Sequence, residues 1–398
     1  MIIRSFFFGC LLLFVLNSLQ AQRFAILSDD ARISILTMGP DENELYSAFG
    51  HNAIRVLDPI LGIDKAYNYG TFNYNDPNFY VNFTKGYLLY FLSVTESEQL
   101  LRNYEYYDRF VNEQVLDFTQ NEKQRVFDYL ENNALPENAN YYYDYFYDNC
   151  ATRIRDVFVD VFGDSIRFDL QSDQDMTIRE LTDIYLEDKF PWGDLGIDVC
   201  LGLPMDKRIS PFNYMFLPDY IESGFNNAFI MDRSGKERPL VIRREVLYES
   251  QTQPEATFFT PLVISIFLMI MGLFTTWMQW RVGKKGKWLD FIWFLILGIL
   301  GLLLTGLWFL TDHTAASNNF NILWAFPLHA FASFMVLRDT SKRRVRYFNL
   351  VGLGMILLLL TWSFLPQDIH FSIIPLVILT MIRAFYIAHS YAYNHQRI

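Results

Sequence analysis

The chain has 398 residues, room for two or three domains, and carries a formal net charge of -11. An acidic balance gives no reason to expect a nucleic-acid partner, because phosphate recognition needs clustered Lys and Arg. With three cysteines and six histidines in all, thiol or imidazole chemistry has few residues to draw on.

Residues 1 to 22 place Arg4 ahead of an apolar run from Phe6 to Leu16, with the small residue Ala21 before Gln22. That three-part pattern predicts a secretory signal peptide over 1–21. Cys10, inside the apolar run, reads as a filler of the leader and not as a lipid-attachment site. The exported domain then runs over 22–257. Ala53 to Val56 and Ala66 to Tyr74 read as strands, and Glu96 to Tyr107 and Asn121 to Asn132 have helical periodicity. Tyr141 to Tyr147 is an aromatic strand or extended loop that delivers Cys150 to a helix over Ala151 to Phe162, ended by Gly163. Leu240 to Glu249 looks like a late strand, and Ser250 to Ala256 is a polar linker. There is no internal repeat.

From Phe258 the composition changes. Apolar stretches near 258–280, 289–311, 321–337, 347–365 and 371–388 approach the roughly 17 to 25 residues that cross a bilayer core. Five helices over 258–398 are therefore expected. The third is short and carries Pro327 and His329, so it is tilted, kinked or partly re-entrant. Arg281, Lys284, Lys285 and Lys287 follow the first span, and Arg338, Lys342, Arg343, Arg344 and Arg346 follow the third, which puts those loops and the C-terminus in the cytoplasm. The loops Asp312 to Asn319 and Pro366 to His370 contain no Lys or Arg and belong outside.

His51 is the only histidine outside the hydrophobic C-terminal part. A thiol needs a base or cation beside it to be a strong nucleophile at neutral pH, so the scarcity of histidine pairs His51 with Cys150. An Asn149-Cys150 start to a helix also lowers a thiol pKa, since the helix N-terminus stabilises the anion. Cys200 reads as a structural or free thiol, with a disulfide to Cys150 as the alternative that export allows. His370, His389 and His395 are scattered, and no cluster has metal-ligand spacing, so neither a metal nor a cofactor is expected. His329 and Arg383, within spans, face the bundle or snorkel. Composition and periodicity stop at a membrane-tethered thiol enzyme.

The order of histidine strand before cysteine helix resembles a circularly permuted papain-like fold, as in NlpC-like peptidases and the lecithin:retinol acyltransferase group. The segments Ser47-Ala48-Phe49-Gly50-His51-Asn52-Ala53-Ile54-Arg55, Tyr67-Asn68-Tyr69-Gly70-Thr71-Phe72 and Asn149-Cys150-Ala151-Thr152-Arg153, with Asp312-His313, Asn319, Asn321 and Pro327, look like the Lnb-type lipoprotein N-acyltransferases of Gram-negative bacteria. The resemblance implies an α+β permuted papain-like thiol domain in the periplasm and a five-helix bundle in the inner membrane. It also implies transfer of an acyl chain from a phospholipid donor to the free amino group of a lipoprotein acceptor, with Cys150 as nucleophile and His51 as acid and base.

On that reading, Asn149 either helps hold the oxyanion or simply caps its helix. Asn68 and Tyr67 either orient the imidazole or pack the sheet, and Arg153 either faces a phosphate or is structural. The tyrosine run from Tyr141 suits a membrane interface, an acyl groove or an aromatic core strand. His313, Asn319 and Asn321 either line the approach of headgroup and amine or cap two helices. Two other classes stay open: a cysteine peptidase or amidase using the same pair with water as acceptor, and a membrane-anchored binding or sensor domain that needs no dyad. Five spans exceed what an anchor requires, which favours a lipid substrate.

Overall fold

A computed structural model describes residues 24–392 except 42–43, 171–174, 233, 253–257, 283–285 and 338–341. The expected signal peptide, much of the linker and the C-terminal Arg397 lie outside the described residues. The first strands are β1 (Arg32–Met38), β2 (His51–Asp58) and β3 (Ile63–Thr71). There follow α1 (Phe79–Lys85), β4 (Leu89–Glu96), α2 (Ser97–Tyr106), β5 (Val111–Leu116), α3 (Gln120–Asn133), β6 (Asn140–Tyr142) and α4 (Cys150–Phe162). The domain finishes with β7 (Ile166–Phe168), α5 (Ile178–Leu186), α6 (Pro191–Cys200), α7 (Pro218–Asn226), β8 (Ala228–Met231), β9 (Glu237–Pro239) and β10 (Val241–Tyr248).

Seven of these strands form one sheet in the order β10-β5-β1-β2-β3-β4-β6, every neighbouring pair antiparallel. Apolar residues on one face, Ile33, Ile35, Ile54, Val56, Tyr67 and Tyr69, pack against Val126, Phe127 and Leu130 of α3 and Ile154, Val157 and Phe158 of α4. Leu36, Met38, Ala53 and Val111 on the other face meet Tyr104 of α2. β1 is therefore covered on both sides, and all but its first residue is buried. Such a strand shows no polar alternation. The remaining strands, β7-β8-β9, form a small second sheet.

The C-terminal part consists of α8 (Pro261–Val282), α9 (Lys287–Leu310), α10 (His329–Leu337), α11 (Lys342–Thr361) and α12 (Ile374–Ala392). Among the described residues four helical stretches are long and apolar enough to span: 261–282, 287–310, 342–364 and 371–389. The expected third span is not one of them. Residues 320–323 make a short 3-10 turn, and the helix begins again only at His329, after Pro327, whose ring removes a donor and blocks the preceding turn. This broken segment runs beside α9: Lys287 Nζ donates to Leu337 O at one end, and the two glycines Gly298 and Gly301 lie against it. Irregular backbone at such depth is tolerated where protein covers it. Arg383 is buried in the bundle, its guanidinium on Asp290 Oδ1 at 2.6 Å and on Thr276 and Gln279. His329 is buried too, its Nδ1 bonded to the Tyr347 hydroxyl at 2.7 Å.

A Cβ on Gly301 would lie 1.9 Å from Ala325 O and 2.7 Å from Pro327 N, whereas one on Gly306 of the same helix meets nothing within 4 Å. Backbone cannot swing aside as a flexible side chain does. Gly301→Val should therefore exceed the roughly 1–3 kcal/mol of ordinary overpacking and sharply reduce the protein recovered from membranes. Gly306→Val should leave both yield and melting temperature unchanged; equal loss in the two would contradict the packing described.

Candidate active site

Sheet and helix meet at one point. Gly50 adopts φ +79, and its position leaves no room for a side chain because Met38 O would lie 2.7 Å from a Cβ. That turn starts β2 with His51. Opposite, Asn149 ends the aromatic segment and caps α4: its Oδ1 accepts from Ala151 N and Thr152 N, each at 2.9 Å, while Thr152 Oγ1 accepts from Asn149 N. The cap sets Cys150 as the first helical residue.

The His51 ring touches Asn68 and Cys150 at once. Asn68 Oδ1 lies 2.5 Å from His51 Nε2, so this nitrogen carries a proton and donates it. The ring is also in hydrogen-bonding contact with the Cys150 thiol. Burial opposes protonation of His51, but the Cys150 thiolate and the Asn68 side chain outweigh it and hold its pKa above the ordinary value. Burial likewise opposes ionisation of Cys150, yet the His51 imidazolium and the backbone N–H groups of Ala151 and Asn52 lower its pKa. The two shifts are linked, each group favouring the charged form of the other. Both residues are half-buried. Cys200 offers a contrast, since its thiol pKa is pushed up by burial; both cysteines are free, so the disulfide alternative is not realised.

Gly70 closes the site from β3. Its φ is +91, and a Cβ there would stand 3.2 Å from Cys150 Cβ and 3.7 Å from His51 Cε1. Tyr143 lies beside it and stacks on Tyr90 with ring centroids 4.3 Å apart. Phe72 contacts the Tyr90 ring and continues to Tyr74 and Phe79, so an aromatic surface runs from the thiol to α1. No residue of α1 is buried. This helix sits at the mouth of the membrane part: Asp312 N donates to Lys85 O at 2.8 Å and His313 Nε2 bonds Phe83 O at 2.9 Å.

Several sequence expectations resolve differently. Asn149 Nδ2 donates to Tyr145 O and Phe216 O at 2.9 and 2.8 Å, so it caps and staples and has no hydrogen left for an oxyanion. Tyr67 is wholly buried with its hydroxyl on Glu131, away from His51. Arg153 is bound by the Asp148 carboxylate, lies 4.2 Å over the Tyr141 ring and borders a cavity walled by Asp148, Asp156 and Asp160. That setting repels phosphate. Asn319 Nδ2 donates to Val199 O and Cys200 O, and Asn321 Nδ2 to Asp198 O, so both fasten the two parts of the protein together. His313 braces α1. Of the residues missed, Gly70 has a sequence signal, a glycine inside a strand marking close backbone approach. Tyr143 belongs to the tyrosine run expected to suit an acyl groove or a core strand, whereas Tyr90 had no signal beyond its aromatic composition.

Residues 24–183 match the Lnb N-terminal periplasmic domain, and residues 253–394 match the Lnb transmembrane domain. The chain belongs to the Lnb family. Comparisons with curated proteins and with solved structures returned no match. Both halves of an Lnb protein are thus present in order, a periplasmic domain followed by a membrane domain, and the family carries a lipoprotein N-acyltransferase-like role. The Cys150–His51 contact lies in the periplasmic half and α1 links that half to the membrane half.

Proposed function

We propose that this Lnb protein moves an acyl chain from a membrane phospholipid to the α-amino group of a diacylglyceryl-cysteine lipoprotein, through a thioester on Cys150. The carrying observation is the contact between Cys150, at a helix N-terminus, and a His51 ring oriented by Asn68. The Cys150 thiolate attacks the ester carbonyl, the C–O bond breaks, and the lysophospholipid oxygen takes a proton from His51. The lipoprotein amine then attacks the thioester; His51 accepts its proton, the C–S bond breaks and an amide forms. The N–H of Cys150 has no acceptor among the described residues and is the donor best placed for the oxyanion. Tyr143, Tyr90, Phe72 and Phe79 supply an apolar wall for the chain as it leaves the bilayer. The protein resides in the inner membrane with its C-terminus cytoplasmic, the orientation that puts the basic loops inside.

Purified enzyme given phospholipid without an amine should gain the mass of one fatty acyl chain on the peptide containing Cys150. Neutral hydroxylamine should remove it, since thioesters cleave where amides survive. A lipoprotein peptide with a free lipidated N-terminal cysteine should discharge the adduct onto its amine. Free fatty acid released at the same rate with and without the peptide would mean a hydrolase; no adduct under any condition would remove the thioester.

A further inference from the structure

The segment that carries α1 is short of charge and rich in exposed apolar side chains. From Pro77 to Thr95 it holds no Asp, Glu or Arg and a single Lys, in a chain with 44 acidic residues. Tyr80 is 76% exposed and Val81 52%, and Phe83, Tyr87 and Leu89 are exposed as well. Leu89 pairs with Tyr142 of the edge strand β6, also exposed, so the patch continues across the end of the sheet. Apolar residues scattered singly over a surface are ordinary; a continuous patch marks an interaction face.

The attachment of α1 says what covers it. Helix α9 is long and apolar enough to span, and its last residue, Leu310, is 81% exposed, as a side chain facing lipid would be. Two residues on, Asp312 donates its N–H to Lys85 O, and His313 Nε2 bonds Phe83 O. The backbones touch here: Gly86 closes α1 at φ +86, and a Cβ on it would stand 2.9 Å from Asp312 C and His313 N. The last turn of α1 is thus fastened just past the apolar end of a span, where hydrocarbon gives way to headgroups. Phe79 lies against Phe72 and Tyr74, and Phe83 against the His313 ring, which leaves Tyr80 and Val81 pointing outward. With seven residues and none of them buried, α1 lacks the packing that keeps so short a helix formed in water. Lipid supplies it. The Thr84 hydroxyl already donates to Tyr80 O at 2.7 Å, so a less polar layer strands no donor there.

We infer that α1, with Tyr87 and Leu89 behind it, is seated in the headgroup–acyl boundary of the leaflet on the side of the catalytic domain. Val81 and the Tyr80 ring enter the acyl layer, the tyrosine hydroxyl stays among headgroups, and the stem of Lys85 carries its ammonium to the lipid phosphates. On the acyl-transfer reading a donor chain then passes from lipid onto Phe79 and Phe72 without crossing water, but the seating of α1 does not depend on that chemistry.

The test uses the full-length protein with its native cysteines replaced by serine and one new cysteine labelled with NBD, a dye bright in lipid and dim in water. Val81→Cys and Tyr80→Cys probe α1 independently, so that a local failure at one position leaves the other to decide. Ile60→Cys is the control: Ile60 is 67% exposed and apolar, but it follows the end of β2 remote from His51, about 25 Å along the strand. Each is reconstituted in vesicles of phosphatidylethanolamine and phosphatidylglycerol. The labels at 80 and 81 should lose most of their emission when the lipid bears a nitroxide on its acyl chain and should resist iodide in the buffer; the label at 60 should do the reverse. Labels at 80 and 81 that respond to both quenchers as the label at 60 does would overturn the seating. This background lacks Cys150, so the optical result is independent of catalysis: quenched labels beside a native chain that transfers no acyl group would support α1 in the leaflet and sink the acyl-transfer reading alone.

Discussion

Cys150→Ala and His51→Ala should each lower transfer of the acyl chain by a factor of about ten thousand or more, since a covalent route then lacks its nucleophile or its proton carrier. Cys200→Ser should keep most activity, its thiol being disfavoured as an anion by burial. The pH dependence follows from the two shifts. Cys150 has its pKa lowered, so the thiolate survives as pH falls until that depressed value is passed. His51 has its pKa raised, so the imidazolium survives as pH rises until the elevated value is passed. Acylation should plateau between these limits and fall on both sides, with the apparent values belonging to the pair. In His51→Ala the thiol loses its counter-charge, and alkylation of Cys150 by iodoacetamide should require a higher pH than in the wild type. Unchanged alkylation profiles would show that His51 does not set the thiol's ionisation.

Gly70→Ala should cost activity well beyond its cost in stability. Two effects combine at this position: a left-handed φ, worth roughly 1–2 kcal/mol for a residue with a Cβ, and crowding of Cys150 and His51 by that Cβ. Gly62 isolates the first, since its φ is +66 and a Cβ there meets nothing within 4 Å. Gly62→Ala should therefore lose some melting temperature and no activity. In Gly70→Ala the Cβ at 3.2 Å from Cys150 Cβ must push the thiol off its line to the carbonyl, which should bring a measurable part of the roughly hundredfold loss that a misplacement of about 1 Å costs. The comparison is read as kcat/KM for the pair at matched folded fraction. If the two variants lost activity equally, strain alone would account for Gly70.

Much of the site is legible in the sequence because it rests on local signals. Asn149 before Cys150 announces a capped helix, and a lone exported histidine leaves the thiol one partner. What was missed depends on parity and on depth. Tyr67 and Asn68 are adjacent in a strand, so one must face the core and the other must not; only the register decides that Asn68 meets His51 while Tyr67 bonds Glu131. Among the strands, β1 and β5 are almost wholly buried and show no alternation to read. The third span fails as a continuous helix because Pro327 interrupts it, and the covering glycines of α9 that make the break tolerable lie in a different segment. Asn319 and Asn321 look like binding residues in isolation; their partners, the carbonyls of residues 198–200, are more than a hundred positions away.

The bond from Asp312 N to Lys85 O ties α1 to the end of the spanning helix α9, and the aromatic wall runs on from α1 towards the thiol. On the acyl-transfer reading, both reactants then arrive by lateral diffusion in one leaflet, so the concentration that governs turnover is a mole fraction in the plane. Diluting the donor with an inert lipid should slow the enzyme even when the bulk amount of donor is unchanged, whereas adding more vesicles of the same composition should matter little once all enzyme is embedded. Substrate supply becomes a property of the bilayer's composition, and the protein is in effect a sensor of how crowded its own leaflet is with the molecules it joins.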